Sequence, residues 1–207
     1  MMQLIGMLDS PFVRRTAISL QLLGLSFQSR PISVFRQMDE FRRFSPVVKA
    51  PALVLDDGTA LLDSNLILQH AEALAGPAHS LWPAAPAERV RALRLTGLAL
   101  AACEKAVQLV YERELRPADK RHAPWTDRVQ GQMLAAWAAI EAEMRAVALP
   151  GGARGQPIGQ AGLTIAVVWH FTQALLPGLV PAPHFPLQAA HSAQAEALPV
   201  FAAWPHA

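Results

Sequence analysis

The 207 residues are 52% hydrophobic and only 16% charged, a balance that can bury a sizeable core and excludes a disordered chain. The net charge of +2 is spread as scattered pairs, Arg14/Arg15, Arg42/Arg43 and Lys120/Arg121, which argues against a nucleic-acid partner despite a pI near 9.1. A single cysteine, Cys103, excludes an internal disulfide framework and fits a reducing compartment.

The opening run "MMQLIGMLDSPF" has no basic leader and its apolar stretch is cut by Asp9, so it does not read as a secretory signal. Gln3 to Leu8 suits a buried strand. The helix that follows should run from Pro11 to about Leu23, with proline in its first turn and Gly24 closing it. "SFQSRPISV" makes a second strand, and "FRQMDEFRRF" a short polar helix that ends before Ser45-Pro46. Pro51 to Leu55, the turn at Asp57-Gly58 and "TALLD" form a hairpin, because Asp-Gly between two apolar runs is a strong turn signal. "SNLILQHAEAL" then begins a helix with Ser64 as N-cap. Residues 1–76 therefore read βαβαββα.

The stretch "AGPAHSLWPAAPAE" carries three prolines and no periodicity, so residues 77–87 are read as a linker between two domains. From residue 88 onward the strand signals vanish and the chain is expected to be all-helical. "AERVRALRLTGLALAACEKAVQLVYEREL" is one long helix, with Cys103 in its core. In "PWTDRVQGQMLAAWAAIEAEM" the residues Val129, Met133, Trp137, Ile140 and Met144 fall on one face. "GLTIAVVWHFTQALLPGLV" approaches membrane-span length, but His170, Gln173 and Pro177 interrupt it, so a buried core helix is expected and a membrane partner is not. The tail "HSAQAEALPVFAAWPHA" is read as one short helix and a proline-bearing end. Cytoplasm is the expected location.

Some familiar chemistries are absent. The seven histidines show no i, i+4 pair and Cys103 has no cysteine partner, so no metal is expected. "GGARG", Gly151 to Gly155, has the glycines of a phosphate loop but neither the preceding strand nor the Lys-Ser/Thr ending, and reads as a loop. No Gly-x-Ser-x-Gly elbow occurs.

Three short motifs remain. "DSPFVRR" puts Ser10 at a helix start with Pro11 behind it. "VVKAPAL" places Pro51 at the first residue of a strand, where the missing amide is tolerable and a cis bond after Ala50 is accessible. "DSN" puts Asp63 and Ser64 at a helix N-terminus, where free amides attract an anion. Each alone is an ordinary helix start or strand end.

Together, at these spacings and in this element order, they resemble the cytosolic glutathione S-transferase family. The likeness runs over essentially the whole chain, as far as "RPADKRHAPWTDRVQ", which is similar to the region joining the first two helices of the second domain in bacterial, serine-type members. The fold class implied is α+β: a thioredoxin-like N-terminal domain followed by an all-α domain. The resemblance matches Ser10 to the catalytic serine, Ala50-Pro51 to the cis-proline step, and Asp63-Ser64 to the pair that holds the γ-glutamyl end of glutathione. Lys49, and less directly Arg36 in the short polar helix, match positions from which basic residues reach the glycine carboxylate.

The activity implied is that of a transferase that activates the thiol of bound glutathione for attack on a small apolar electrophile. That electrophile site is expected in the helical domain, with Phe12 and Tyr111 as candidate walls. Tyr111 is the only tyrosine, which excludes a tyrosine-type mechanism from the N-terminal strand. A homodimer is also implied. A glutathione-dependent peroxidase or isomerase, or a non-catalytic binding or regulatory protein on the same fold, are the alternatives.

One departure from the family pattern concerns the Ser/Thr-x-x-Asp capping box that usually opens the core helix of the second domain. In "LTIAVVWHF" the hydroxyl is read as Thr164 and the acid is replaced by Val167, a loss of roughly 0.5 to 1 kcal/mol. On this reading Val167→Asp should raise the unfolding midpoint.

Overall fold

Strand β1 (Met2–Ile5) sends Leu4 and Ile5 to opposite faces of a sheet, and both are fully buried. The computed structural model describes residues 1–150 and 157–206, and the segment Gly151 to Gly155 lies outside them. Leu4 packs with Val13, Ala17, Leu20, Leu53 and Ile67, whereas Ile5 packs with Ile32, Phe41 and Ala52. One face of the sheet is thus covered by α1 (Pro11–Leu22) and α3 (Ser64–Ala75), the other by α2 (Met38–Arg42) and the segment around Ile32.

The sheet has the order β2-β1-β3-β4, with β2 at Phe27–Arg30, β3 at Ala52–Val54 and β4 at Ala60–Leu62. β1 and β2 are parallel, joined by the α1 crossover, and the β3–β4 hairpin runs antiparallel to β1. Helix α1 starts where the sequence places it and stops in a Schellman motif. Gly24 adopts φ 73°, its amide donates to Gln21 O, and the Leu25 amide donates to Leu20 O, each at 3.0 Å.

The chain forms two compact units, Met1–Leu81 with Ala197–Ala207, and Trp82–Glu196. In the second, α4 (Pro86–Glu114) packs on α5 (Ala123–Ala146) and on α6 (Gln160–Leu175), α7 (Pro186–Glu196) packs on α6 and α5, and α6 is buried continuously from Gln160 to Trp169. All five residues predicted for the apolar face of α5 are buried, and Trp137 meets Trp169 edge to face at 5.1 Å. Cys103 is fully buried.

Four expectations need correction. The N-cap of α3 is Asp63, whose carboxylate accepts the Asn65 amide at 2.8 Å, and Ser64 is the first helical residue. Arg36 lies in the turn before α2 rather than within it, because Ser33 Oγ accepts the Phe35 and Arg36 amides and holds that turn. The tail contains two helices, α7 and the short α8 (Pro199–Ala202), and its last residues pack with the first unit instead of the helical one. Helix α6 begins four residues before Thr164, with Gly159 as N-cap. Thr164 Oγ1 donates back to Gln160 O at 2.7 Å and caps nothing. The first and fourth places of the capping box are therefore Gly159 and Gly162, and both side chains of the box are missing.

Candidate functional site

Strand register decides what meets at the site. Ile5, the last residue of β1, pairs with Ala52, the first of β3, and Ala52 pairs with Leu62, the last of β4. The loop leaving β1 toward Ser10, the Ala50-Pro51 step before β3 and the Asp63-Ser64 pair after β4 therefore emerge at one end of the sheet. The same register brings the end of β2 there, since Ile5 also pairs with Arg30. The three motifs that are dispersed over more than fifty residues of sequence share one sheet end.

Gly6 packs this corner. Its φ is 141°, and a Cβ built on it would lie 2.6 Å from Val13 Cγ2 and 3.0 Å from Ala50 Cβ. The loop after β1, the first turn of α1 and the segment before Pro51 approach one another so closely that only glycine fits. Ala50-Pro51 is cis, and Pro51 is buried.

Ser10 is half-buried, in the extended conformation of an N-cap, and its Oγ accepts the Val13 amide at 3.4 Å. Used as an acceptor there, the hydroxyl keeps its proton for another partner. Asp63 adopts φ 24°, and its second carboxylate oxygen lies 3.6 Å from Lys49 Nζ. Both side chains of that pair are substantially exposed, so it adds little stability and its interest is where it holds Lys49.

One residue not singled out for the site in the sequence, Arg15, belongs to this end. Arg15, on α1, is 1% exposed and donates from its guanidinium to Ser64 Oγ and to Asn65 Oδ1, both at 2.9 Å. Ser64 is itself 2% exposed. No local pattern could have announced Arg15, because its partners lie about fifty residues away in sequence. The N-termini of α1 and α3, each with unpaired amides and a partial positive charge, sit with Arg15 and Lys49, so this end of the sheet is suited to an anionic ligand.

Arg36 is exposed, and Phe12 is half-buried on α1. Tyr111 belongs to the other unit, on α4, and is 45% exposed. Among the described residues no cluster of three or more His, Cys, Asp or Glu side chains is placed to hold a metal ion. No helix of the described residues is long and apolar enough to cross a membrane.

Comparisons with known proteins agree with this architecture. Residues 4–79 match the sequence model of the glutathione S-transferase N-terminal domain. The uncharacterised GST-like protein YibF of Escherichia coli is 31% identical over 117 residues, which is 56% of this chain and 57% of that protein. The match thus spans little more than half the length of that curated relative. A glutathione S-transferase from Methylobacterium radiotolerans, solved with glutathione sulfonate, is 27% identical and superposes with a TM-score of 0.86 over 100% of this chain and 95% of that one. A family member from Pseudomonas fluorescens, solved with bound glutathione, has the same fold, at 24% identity and a TM-score of 0.81 over 98% of both chains. Residues 4–79 thus carry the sequence signature of the glutathione S-transferase N-terminal domain, and the whole chain shares its fold with a glutathione S-transferase.

Proposed function

We propose that the chain binds glutathione at this end of the sheet and activates its thiol for attack on a small apolar electrophile. The observation that carries the reading is the register that gathers Ser10, Ala50-Pro51 and Asp63-Ser64 at one sheet end. Proteins of the same fold solved with glutathione sulfonate and with glutathione support it.

A free thiol with a pKa near ~8.5 is only a few per cent thiolate at neutral pH, so the protein must favour the anion. Ser10 is no base at that pH. Its role is to donate a hydrogen bond to the sulfur, aided by the positive end of α1. Asp63 receives the γ-glutamyl ammonium, and Ser64 the adjacent carboxylate. The Ala50 backbone faces the cysteinyl part, while Lys49 and Arg36 reach for the glycine carboxylate. Phe12 and Tyr111 are the proposed contacts of the electrophile. We also assign a homodimer in the cytoplasm.

The test is calorimetric titration with glutathione, followed by conjugation of 1-chloro-2,4-dinitrobenzene by the wild type and Ser10→Ala. The variant should lose about 10- to 100-fold in kcat/KM, the range for one donor to a reacting anion, with glutathione still bound. Binding without Ser10-dependent turnover would identify a binding protein, and no binding would remove the site assignment. Light scattering on the purified chain decides the oligomeric state.

A further inference from the structure

Resting on the glutathione reading above, we propose that Arg15 is the positioning residue for recognition of the γ-glutamyl carboxylate. It acts by fixing which groups of Ser64 and Asn65 are left to donate. A guanidinium has donors and no acceptor, so in the 2.9 Å contact Ser64 Oγ must be the acceptor. Its single proton is then excluded from that contact. Among the described residues that proton has no acceptor, although Ser64 is 2% exposed.

A buried hydroxyl with its acceptor side filled and its donor side unused is costly unless something accepts from it. Asn65 is exposed and bears no burial cost, but the same assignment of donor and acceptor applies to it. Arg15 takes the carboxamide oxygen at 2.9 Å, which orients the amide and leaves its NH2 as a pair of donors with no acceptor among the described residues. The Asn65 backbone amide is already held by Asp63, so it is the two side chains that remain to donate.

Arg15 thus leaves the Ser64 hydroxyl and the Asn65 side-chain amide as donors at the N-terminus of α3, beside the Asp63 carboxylate. That arrangement suits a group carrying a carboxylate and an ammonium on one carbon: donors for the first, an acceptor for the second. Both contacts come from one guanidinium nitrogen, Nη1, whose two N–H bonds are fixed in the plane of the group, whereas the N–H bonds of an ammonium rotate on a flexible stem and orient neither partner.

The experiment compares affinities for glutathione and for γ-aminobutyryl-cysteinyl-glycine, which lacks only the α-carboxylate of the γ-glutamyl group. Wild type should prefer glutathione by about 10- to 100-fold, the range for hydrogen bonds to a charged group. In Arg15→Gln and in Ser64→Ala the preference should shrink toward unity, and combining them should cost little more than either alone. Arg15→Lys, which keeps the cation but not the fixed planar pair of N–H donors, should keep the fold and show a preference between those of wild type and Arg15→Gln. It carries the test if Arg15→Gln does not fold.

A merely structural arginine would weaken both ligands equally and leave the preference intact, and that result would overturn the assignment. If wild type binds neither ligand, the glutathione reading itself fails and the role of Arg15 with it. If wild type discriminates and the Arg15 variants do so undiminished, the role of Arg15 alone fails.

Discussion

Gly6 shows how much of the site depends on one missing side chain. With φ at 141° and Val13 Cγ2 only 2.6 Å from where a Cβ would stand, Gly6→Ala must move α1, the segment before Pro51, or both. Strain and overpacking together should cost about 2 to 3 kcal/mol, read as a lower urea midpoint, and glutathione affinity should fall with it. An unchanged midpoint would mean that the corner is looser than these distances indicate. Val167 gives the opposite lesson. Taken as the vacant acid of a capping box it invites Val167→Asp as a stabilising change, but it is 1% exposed in the interior of α6. A carboxylate there has no partner from the helix start, so the substitution should destabilise the fold by about 3 kcal/mol or more and lower the unfolding midpoint. Thermal unfolding of the variant checks it. The true box positions were illegible because they are Gly159 and Gly162. A glycine cap leaves no side chain to read, and Thr164 supplied a hydroxyl at a plausible distance.

Among the elements, those whose signal is periodic were legible. The strand–helix order of the first unit follows from short apolar runs and their punctuation, and the α5 face from its 3.6-residue spacing. The tail was not legible, because its meaning lies in partners nearly two hundred residues upstream. Phe201 is fully buried, with the Arg14 guanidinium 5.6 Å from its ring. Arg14 Nε donates to Trp204 O at 2.7 Å, the Trp204 ring stacks on Phe27 at 5.1 Å, and its Nε1 donates to Gln21 Oε1. These contacts tie α8 across α1 and β2. The two arginines of "DSPFVRR" divide the work, Arg14 holding the tail and Arg15 the start of α3. Phe201→Ala should therefore destabilise the first unit by about 3 kcal/mol, the lower end for a buried phenylalanine, and expose the last residues to carboxypeptidase digestion. Wild-type resistance in the variant would show that the tail holds without its anchor.

At the scale of the whole molecule, resistance to mild acid should rest on a joint in the helical unit. His191, on α7, is 7% exposed, and its Nε2 lies 2.9 Å from the carbonyl of Gly162 on α6. A carbonyl only accepts, so Nε2 carries the proton of the neutral ring. Burial pushes the pKa below its ordinary 6.5, and the Gly162 carbonyl works weakly the other way. The absence of a Cβ at Gly162 is what lets the ring in, since one would stand 3.2 Å from the imidazole. Because the folded pKa is depressed, the unfolded chain binds more protons between the two values. Stability is then complete above the unfolded pKa and is lost as pH falls through 6.5 toward the folded value, with a limiting slope of about 1.4 kcal/mol per pH unit for one proton. Asp57, whose carboxylate is lowered by hydrogen bonds from the Thr59 amide and then the Thr59 hydroxyl, acts only around and below its ordinary 3.8 and leaves this window clear. Urea midpoints should be flat from pH 8 to 7 and decline from 6.5 to 5, and His191→Gln should remove the decline even if it lowers the plateau. A decline that persists undiminished in that variant would place the acid sensitivity elsewhere than at the α6–α7 joint.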